Sequence, residues 1–217
     1  MKKWKIILPG ILLLVLGWIA IDMAIPFQRN IARINAPETA KLEGRMWRSY
    51  YERKPLKLFL ESARLMREQF HFPFWRSLFV AYYPAKAAFV FKDGNKRSDY
   101  EKAFPYLRHY YNSINNISDK KFDVDSAAHT ELEWWIIRRE RKTHPAQDWE
   151  KWITINASVV YHMPPEQFSE YAHWRVTAML ARDEKGSAMT ERDWHDVNGM
   201  LYLAWQSLAV VLANRHP

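Results

Sequence analysis

The chain has 217 residues, a formal net charge of +8 and no cysteine. That length holds one medium domain or two small ones, and a composition 48% hydrophobic and 26% charged excludes a disordered, collagen-like or low-complexity chain. Without cysteine there are no disulfides, thiolate metal sites, iron–sulfur clusters or cysteine nucleophile.

The amino terminus carries Lys2, Lys3 and Lys5 ahead of an uncharged run from Ile6 to Ile21, then Asp22 and further apolar residues to Phe27. A helix needs roughly 20 mostly apolar residues to cross a bilayer, and Trp4, Trp18 and Asp22 fit the two interfaces. A signal peptidase wants small residues before its cut, yet cleavage after Ala24 or Ala20 places Asp22 or Trp18 there. We therefore expect an uncleaved signal anchor over residues 1–27 and an all-α domain over residues 28–217. The lysines before the span and Arg29, Arg33 and Lys41 after it nearly cancel as an orientation signal. The short basic head resembles an export signal, so the main domain is expected on the extracytoplasmic, periplasmic side.

The charge excess is local. Residues 28–67 hold ten basic residues against Glu38, Glu43, Glu52 and Glu61, while the 150 residues after them balance. This juxtamembrane region, with Arg29, Arg33, Lys41, Arg45 and Arg48, is expected to meet anionic headgroups or to be a solvated helix face. No nucleic-acid partner is expected, because the main domain is balanced and no nucleic-acid-binding motif occurs.

Beyond the span only Gly44, Gly94, Gly186 and Gly199 remain, too few for the turns of a many-stranded sheet. Pro37, Pro55, Pro73, Pro105, Pro145 and Pro164-Pro165 punctuate the chain at helix-length intervals. Ser98 with Glu101 has capping-box spacing, Gly94 and Gly186 read as helix stops, and Thr190 as an N-cap. These signals predict helices near residues 37–54, 56–71, 73–91, 98–115, 124–142, 146–162, 165–185 and 191–214, with Pro84 kinking the third. About seven or eight helices result, as a compact bundle or as stacked hairpins, between which periodicity does not choose.

On the last helix Trp194, Val197, Leu201, Ala204, Leu208 and Val211 form one core-facing stripe. The helix near 124–142 has two: Ala128, Leu132, Trp135 and Ile136 on one side, and Ala127, Thr130, Trp134 and Ile137 on the other. Two apolar faces predict a central helix. The aromatic run from Phe70 through Tyr83 to Phe91 is read as core, with a bilayer face or a partner face as the other fates.

Two Glu-x-x-His spacings, Glu68 to His71 and Glu170 to His173, stand with Glu43 or Glu52 before them and Glu131 or Glu133 between. That order resembles ferritin-like di-iron carboxylate proteins, which implies two iron or manganese ions and an oxidase-type reaction at Glu68, His71, Glu133, Glu170 and His173. The helical faces point the other way, since Glu68 lies about 150° and Glu170 about 165° from the centres of their apolar stripes.

A second constellation is ionic: Glu131, Glu133, Arg138, Arg139 and Glu140 interleave with Trp134, Trp135, Ile136 and Ile137. Arg139 falls near an apolar stripe, so a carboxylate partner is expected. The group is either a packing network or a site where Arg138 or Arg139 holds an anion beside Glu133 and His129. No His-Glu-x-x-His, Gly-x-Ser-x-Gly or phosphate-cradling glycine loop occurs. The leading expectation is a cofactor-free, non-catalytic accessory protein, anchored by its amino-terminal helix and docking on a membrane assembly through an aromatic and basic face. The alternatives are the di-metal oxidase and a helical pocket for a hydrophobic or anionic small molecule.

Overall fold

The computed structural model describes residues 4–24 and 26–214; Lys2 and Lys3 lie outside the described residues, as do the side chains of Trp4, Lys5 and Ile6. Helices make up 82% of the described residues, so the fold is all-α. In order they are α1 (Trp4–Ala24), α2 (Ala36–Tyr51), α3 (Pro55–Phe70), α4 (Phe74–Lys92), the single turn α5 (Arg97–Tyr100), α6 (Phe104–Ile117), α7 (Val124–Arg139), α8 (Ala146–Tyr161), α9 (Ser169–Lys185) and α10 (Glu191–Ala213). Short 3-10 turns precede α6, α9 and α10.

Local chemistry places these ends. Asn35 accepts the Glu38 N–H at the start of α2, and Pro37 sits where its missing N–H costs nothing. The Asp123 carboxylate takes the Asp125 and Ser126 N–H groups, and Thr190 and Asp193 form a reciprocal capping box that opens α10. His71 (φ 59°) and His162 (φ 54°) close α3 and α8 in the left-handed region, where Gly186 (φ 55°) also closes α9. The Ser98–Glu101 box does not form: α5 begins one residue earlier, and Asp99 accepts the Asn95 N–H instead.

Each of α2, α3, α4, α6, α7, α8, α9 and α10 packs against the next in chain order, and α10 closes back on α2. Reversing turns join them, so the eight alternate in direction. The result is a closed ring of antiparallel staves, one layer thick, rather than stacked hairpins. The closing seam is tight at Gly44, where a Cβ would collide with the Asn198 side chain. Arg48 reinforces it, pairing with Glu52 and also with Glu191 (2.8 Å) at the head of α10.

The expected central helix is a stave. Of its two apolar stripes, Ile137 packs with Trp149 and Ile153 of α8, while Ala128, Leu132 and Ile136 join the main core. Two apolar sides are what a stave needs to meet two neighbours. On α4 the small residues Ser77, Val80, Ala81 and Ala87 are buried, whereas Phe74, Phe79, Tyr82 and Phe89 are exposed. The core expectation for the aromatic run thus holds for Phe70 and Phe72, which are buried, and for Phe91, which packs against the core, but not for Phe74, Phe79, Tyr82 and Phe89.

Helix α1 is long and apolar enough to cross a membrane, and its window from Ile7 to Ala24 is not buried in the fold. It joins the ring at the start of α4. Trp18 stacks on Phe74 and meets Trp75 edge-on, and the Asp22 carboxylate accepts the Trp75 (3.0 Å) and Arg76 (3.3 Å) N–H groups. Beyond the span, Arg29 bonds through its backbone to Ile117 and Asp119 at the far end of α6.

Candidate functional site: a cavity inside the ring

The ring encloses a cavity of about 570 Å³, inside the usual 300–1,000 Å³ range of small-molecule sites. All eight staves line it. Its walls are mainly apolar and aromatic, with Met46, Trp47, Phe91, Leu107, Trp134 and Trp135 among them. Three polar clusters interrupt those walls.

The first is centred on Glu43 of α2. Arg175 of α9 grips it with both terminal nitrogens (3.0 and 2.7 Å), and Trp205 of α10 donates its indole N–H (2.6 Å). The guanidinium also lies over the Tyr171 and Trp205 rings. Burial acts against the charge on Arg175, but Glu43 outweighs it and raises its pKa.

The second is centred on Glu131 of α7, which accepts the Tyr111 hydroxyl and the Trp135 indole N–H, each at 3.0 Å. Asn156 of α8 completes the cluster, donating to the Tyr111 oxygen, the Ala127 carbonyl and Thr130. Burial pushes the Glu131 carboxyl above the usual carboxylate range, against the hydrogen bonds from Trp134 and Tyr111. Burial likewise pushes Tyr171 up to about 12, and Tyr110, Tyr111 and Tyr161 upward too, so these phenols stay neutral donors.

The third bridges staves that are not neighbours. Arg138 at the end of α7 binds both oxygens of Asp183 near the end of α9 (3.0 Å each) and the Tyr51 hydroxyl (3.3 Å) at the end of α2. Arg182 binds Asp183 (3.2 Å) with its guanidinium 3.2 Å above the Tyr51 ring. The Nε atoms of Arg138 and Arg182 are buried without a hydrogen-bond partner.

Helices α2, α4, α7 and α9 all finish at this end, where Arg139 reaches the Lys92 carbonyl (2.7 Å). The exposed lining residues Tyr50, Lys92, Arg139 and Arg141 mark it as the mouth. Five cations, Lys92, Arg138, Arg139, Arg141 and Arg182, stand here against the single lining carboxylate Asp183. At 1.5 Å per residue along α4, the mouth lies about 25 Å from the junction with α1.

The sequence candidates separate. Arg138 is held by Asp183 and Glu131 lies deep in the cavity wall, but Glu133 pairs with Arg97 of α5 and lies 3.9 Å from His129. Glu140 is outside, near His144. Arg139 has no carboxylate partner, contrary to expectation; it is exposed, bonds the Lys92 carbonyl and lies over the Phe91 and Tyr100 rings, because the helix ends there.

The metal set does not assemble. Glu68 accepts from Asn35 (3.0 Å), His71 bonds the Arg33 carbonyl (3.1 Å), His173 pairs with Glu150 (3.0 Å), and Glu170 is exposed at the start of α9. Among the described residues no three His, Asp or Glu side chains gather as metal ligands. The outward faces predicted for Glu68 and Glu170 account for this.

The basic set is dispersed over the segment before α2 and along α2. Arg29 and Arg33 lie near the α1 junction, Lys41 pairs with Glu38, Arg45 is exposed, and Arg48 pairs with Glu52 and Glu191 toward the mouth end. The five are spread from the junction along the length of α2, which runs away from it.

Sequence reasoning missed Arg175, Asp183, Arg182, Tyr51, Tyr111 and Asn156. Their only signal was polarity on otherwise core-facing helices, and the ring brings them together from distant segments. No family model matches the sequence, and neither a curated protein nor a solved structure matches the chain.

Proposed function

We propose that this chain is a membrane-anchored binding protein that takes a small organic molecule into the cavity of its helical ring. The observation that carries this reading is the cavity itself: about 570 Å³, walled by all eight staves, with a defined mouth. Its inner polar groups are bonded to one another, which leaves the aromatic and aliphatic walls to contact an apolar body. The amino-terminal helix supplies the anchor, with the ring on the extracytoplasmic side; a reporter fused after Asn214 checks that side.

The test uses the full chain in phosphatidylcholine nanodiscs with 1-naphthol, a neutral aromatic probe. Saturable stabilisation of the wild type is expected, and its loss in Ala88→Trp, which fills the cavity from α4, without loss of fold. Equal responses of wild type and variant would remove the reading.

A second reading, docking on a larger assembly, is favoured by the exposed Phe79, Tyr82 and Phe89 of α4 and the exposed Leu56 and Leu60 of the neighbouring α3. Replacing Phe79, Tyr82 and Phe89 with serine is expected to release a partner recovered in mild detergent. Recovery of the wild type as an isolated monomer counts against docking.

A further inference from the structure

We infer that the mouth of the cavity recognises an anionic head, phosphate or carboxylate, on a ligand whose apolar body lies inside the ring. This rests on the cavity-binding reading and adds the chemical class of the ligand. Three observations carry it.

First, the lining carries an excess of cations at one end only. Inside, the lining carboxylates Glu43 and Glu131 stand with the one cation Arg175, so cations are in excess only at the mouth, where Lys92, Arg138, Arg139, Arg141 and Arg182 line the opening with the single carboxylate Asp183, bound by Arg138 and Arg182. Second, the deficit includes buried donors. The Nε groups of Arg138 and Arg182 lack a partner, and a buried guanidinium N–H left unpaired is costly unless an acceptor arrives. Third, two of the cations are already positioned. Arg139 is held by the Lys92 carbonyl and by the Phe91 and Tyr100 rings, and Arg182 is stacked on Tyr51, so little side-chain freedom is lost on binding. Planar guanidinium groups match the oxygens of phosphate and carboxylate in paired hydrogen bonds.

The mouth also constrains where the anion comes from. It sits about 25 Å along α4 from the α1 junction, well over a Debye length of roughly 8 Å at physiological salt. With the ring extending away from the membrane that α1 would enter, a headgroup there would be out of reach, and the proposed ligand is a dissolved anion.

The experiment compares 1-naphthyl phosphate, 1-naphthol and inorganic phosphate on the full chain in phosphatidylcholine nanodiscs, with a parallel set containing anionic phosphatidylglycerol. The aryl phosphate is expected to bind at least tenfold more tightly than 1-naphthol, and inorganic phosphate more weakly than the aryl phosphate. The Arg139→Gln/Arg141→Gln variant, checked for an unchanged unfolding temperature, is expected to lose that tenfold advantage while keeping its affinity for 1-naphthol. Equal binding of the phosphate and the naphthol, or an advantage that survives in the variant, overturns the anionic head and leaves the cavity reading standing. Failure of all three probes on the wild type overturns both. Competition by phosphatidylglycerol in the nanodisc overturns the dissolved source.

Discussion

Glu43 and Arg175, 132 positions apart in sequence, meet across the cavity as a two-pronged ion pair with distances of 2.7 and 3.0 Å. Their side chains are only 4% and 13% exposed, so each charge depends on the other for its solvation. Arg175→Met removes one partner and leaves a buried carboxylate with only the Trp205 N–H; a loss of about 3–5 kcal/mol is expected. The double variant Glu43→Leu/Arg175→Met removes both charges and is expected to recover most of that loss. Urea unfolding of the two variants checks this, and equal losses would show that the pair is not energetically coupled.

The raised pKa of Glu131 gives a pH dependence with a definite sign. A group that holds its proton more tightly when folded stabilises the fold fully below its unfolded pKa, and that contribution is lost as pH rises through the folded value. The wild type therefore loses stability from this residue between the ordinary carboxylate range and the raised value. Glu131→Gln keeps an acceptor for Tyr111 and Trp135 without the titration. Its stability relative to wild type is expected to improve as pH rises from 4 toward neutral. Glu52 behaves oppositely: Lys54 and Arg48 lower its carboxyl to about 2, so its small contribution disappears on acidification. Unfolding series for Glu131→Gln and Glu52→Gln with the same slope against pH would contradict both assignments.

Helix positions were legible because prolines and caps act locally. The predicted helix at 146–162 is α8, Ala146–Tyr161, and the one at 191–214 is α10, Glu191–Ala213. Ring closure was not legible, since it depends on Gly44 meeting Asn198 and on Arg48 meeting Glu191, contacts with no periodic trace. The site was legible only in fragments. Arg138 and Glu131 stood out as charges on an apolar helix, but Asp183 and Arg175 sit on α9 among ordinary surface charges, and nothing local indicates that they turn inward. The Glu-x-x-His spacings were local patterns without a shared third dimension.

The α2–α10 seam predicts a test of closure. A side chain at Gly44 meets Asn198, the movable end of an exposed residue, so Gly44→Ala can be accommodated by rotation and gains helix propensity of up to about 1 kcal/mol. Gly44→Leu adds volume that rotation does not absorb, and about 1–3 kcal/mol of destabilisation is expected. Asn198→Ala is expected to relieve part of the leucine cost. A leucine variant as stable as wild type would show that the two helices are not in close contact at this level.

Asp22 predicts that the amino-terminal helix is not a loose tether. Its carboxylate, 4% exposed, accepts two N–H groups of the first turn of α4 and lies 3.9 Å from the Arg76 side chain, as a cap would. Losing a capping carboxylate costs typically about 1 kcal/mol, a small part of the ring's stability but a large part of what holds α1 at a fixed angle. Trp18 alone, stacked on Phe74 and edge-on to Trp75, leaves that angle free to vary. Because the chain has no cysteine, spin labels at Leu12→Cys and Tyr82→Cys report only the intended pair. Both positions are exposed, so labelling leaves the junction intact. In nanodiscs the wild-type background is expected to give one narrow distance distribution, and Asp22→Ala a broad one with little change in the unfolding temperature of the ring. A broad distribution already present with Asp22 in place would mean that the span does not set the ring's orientation.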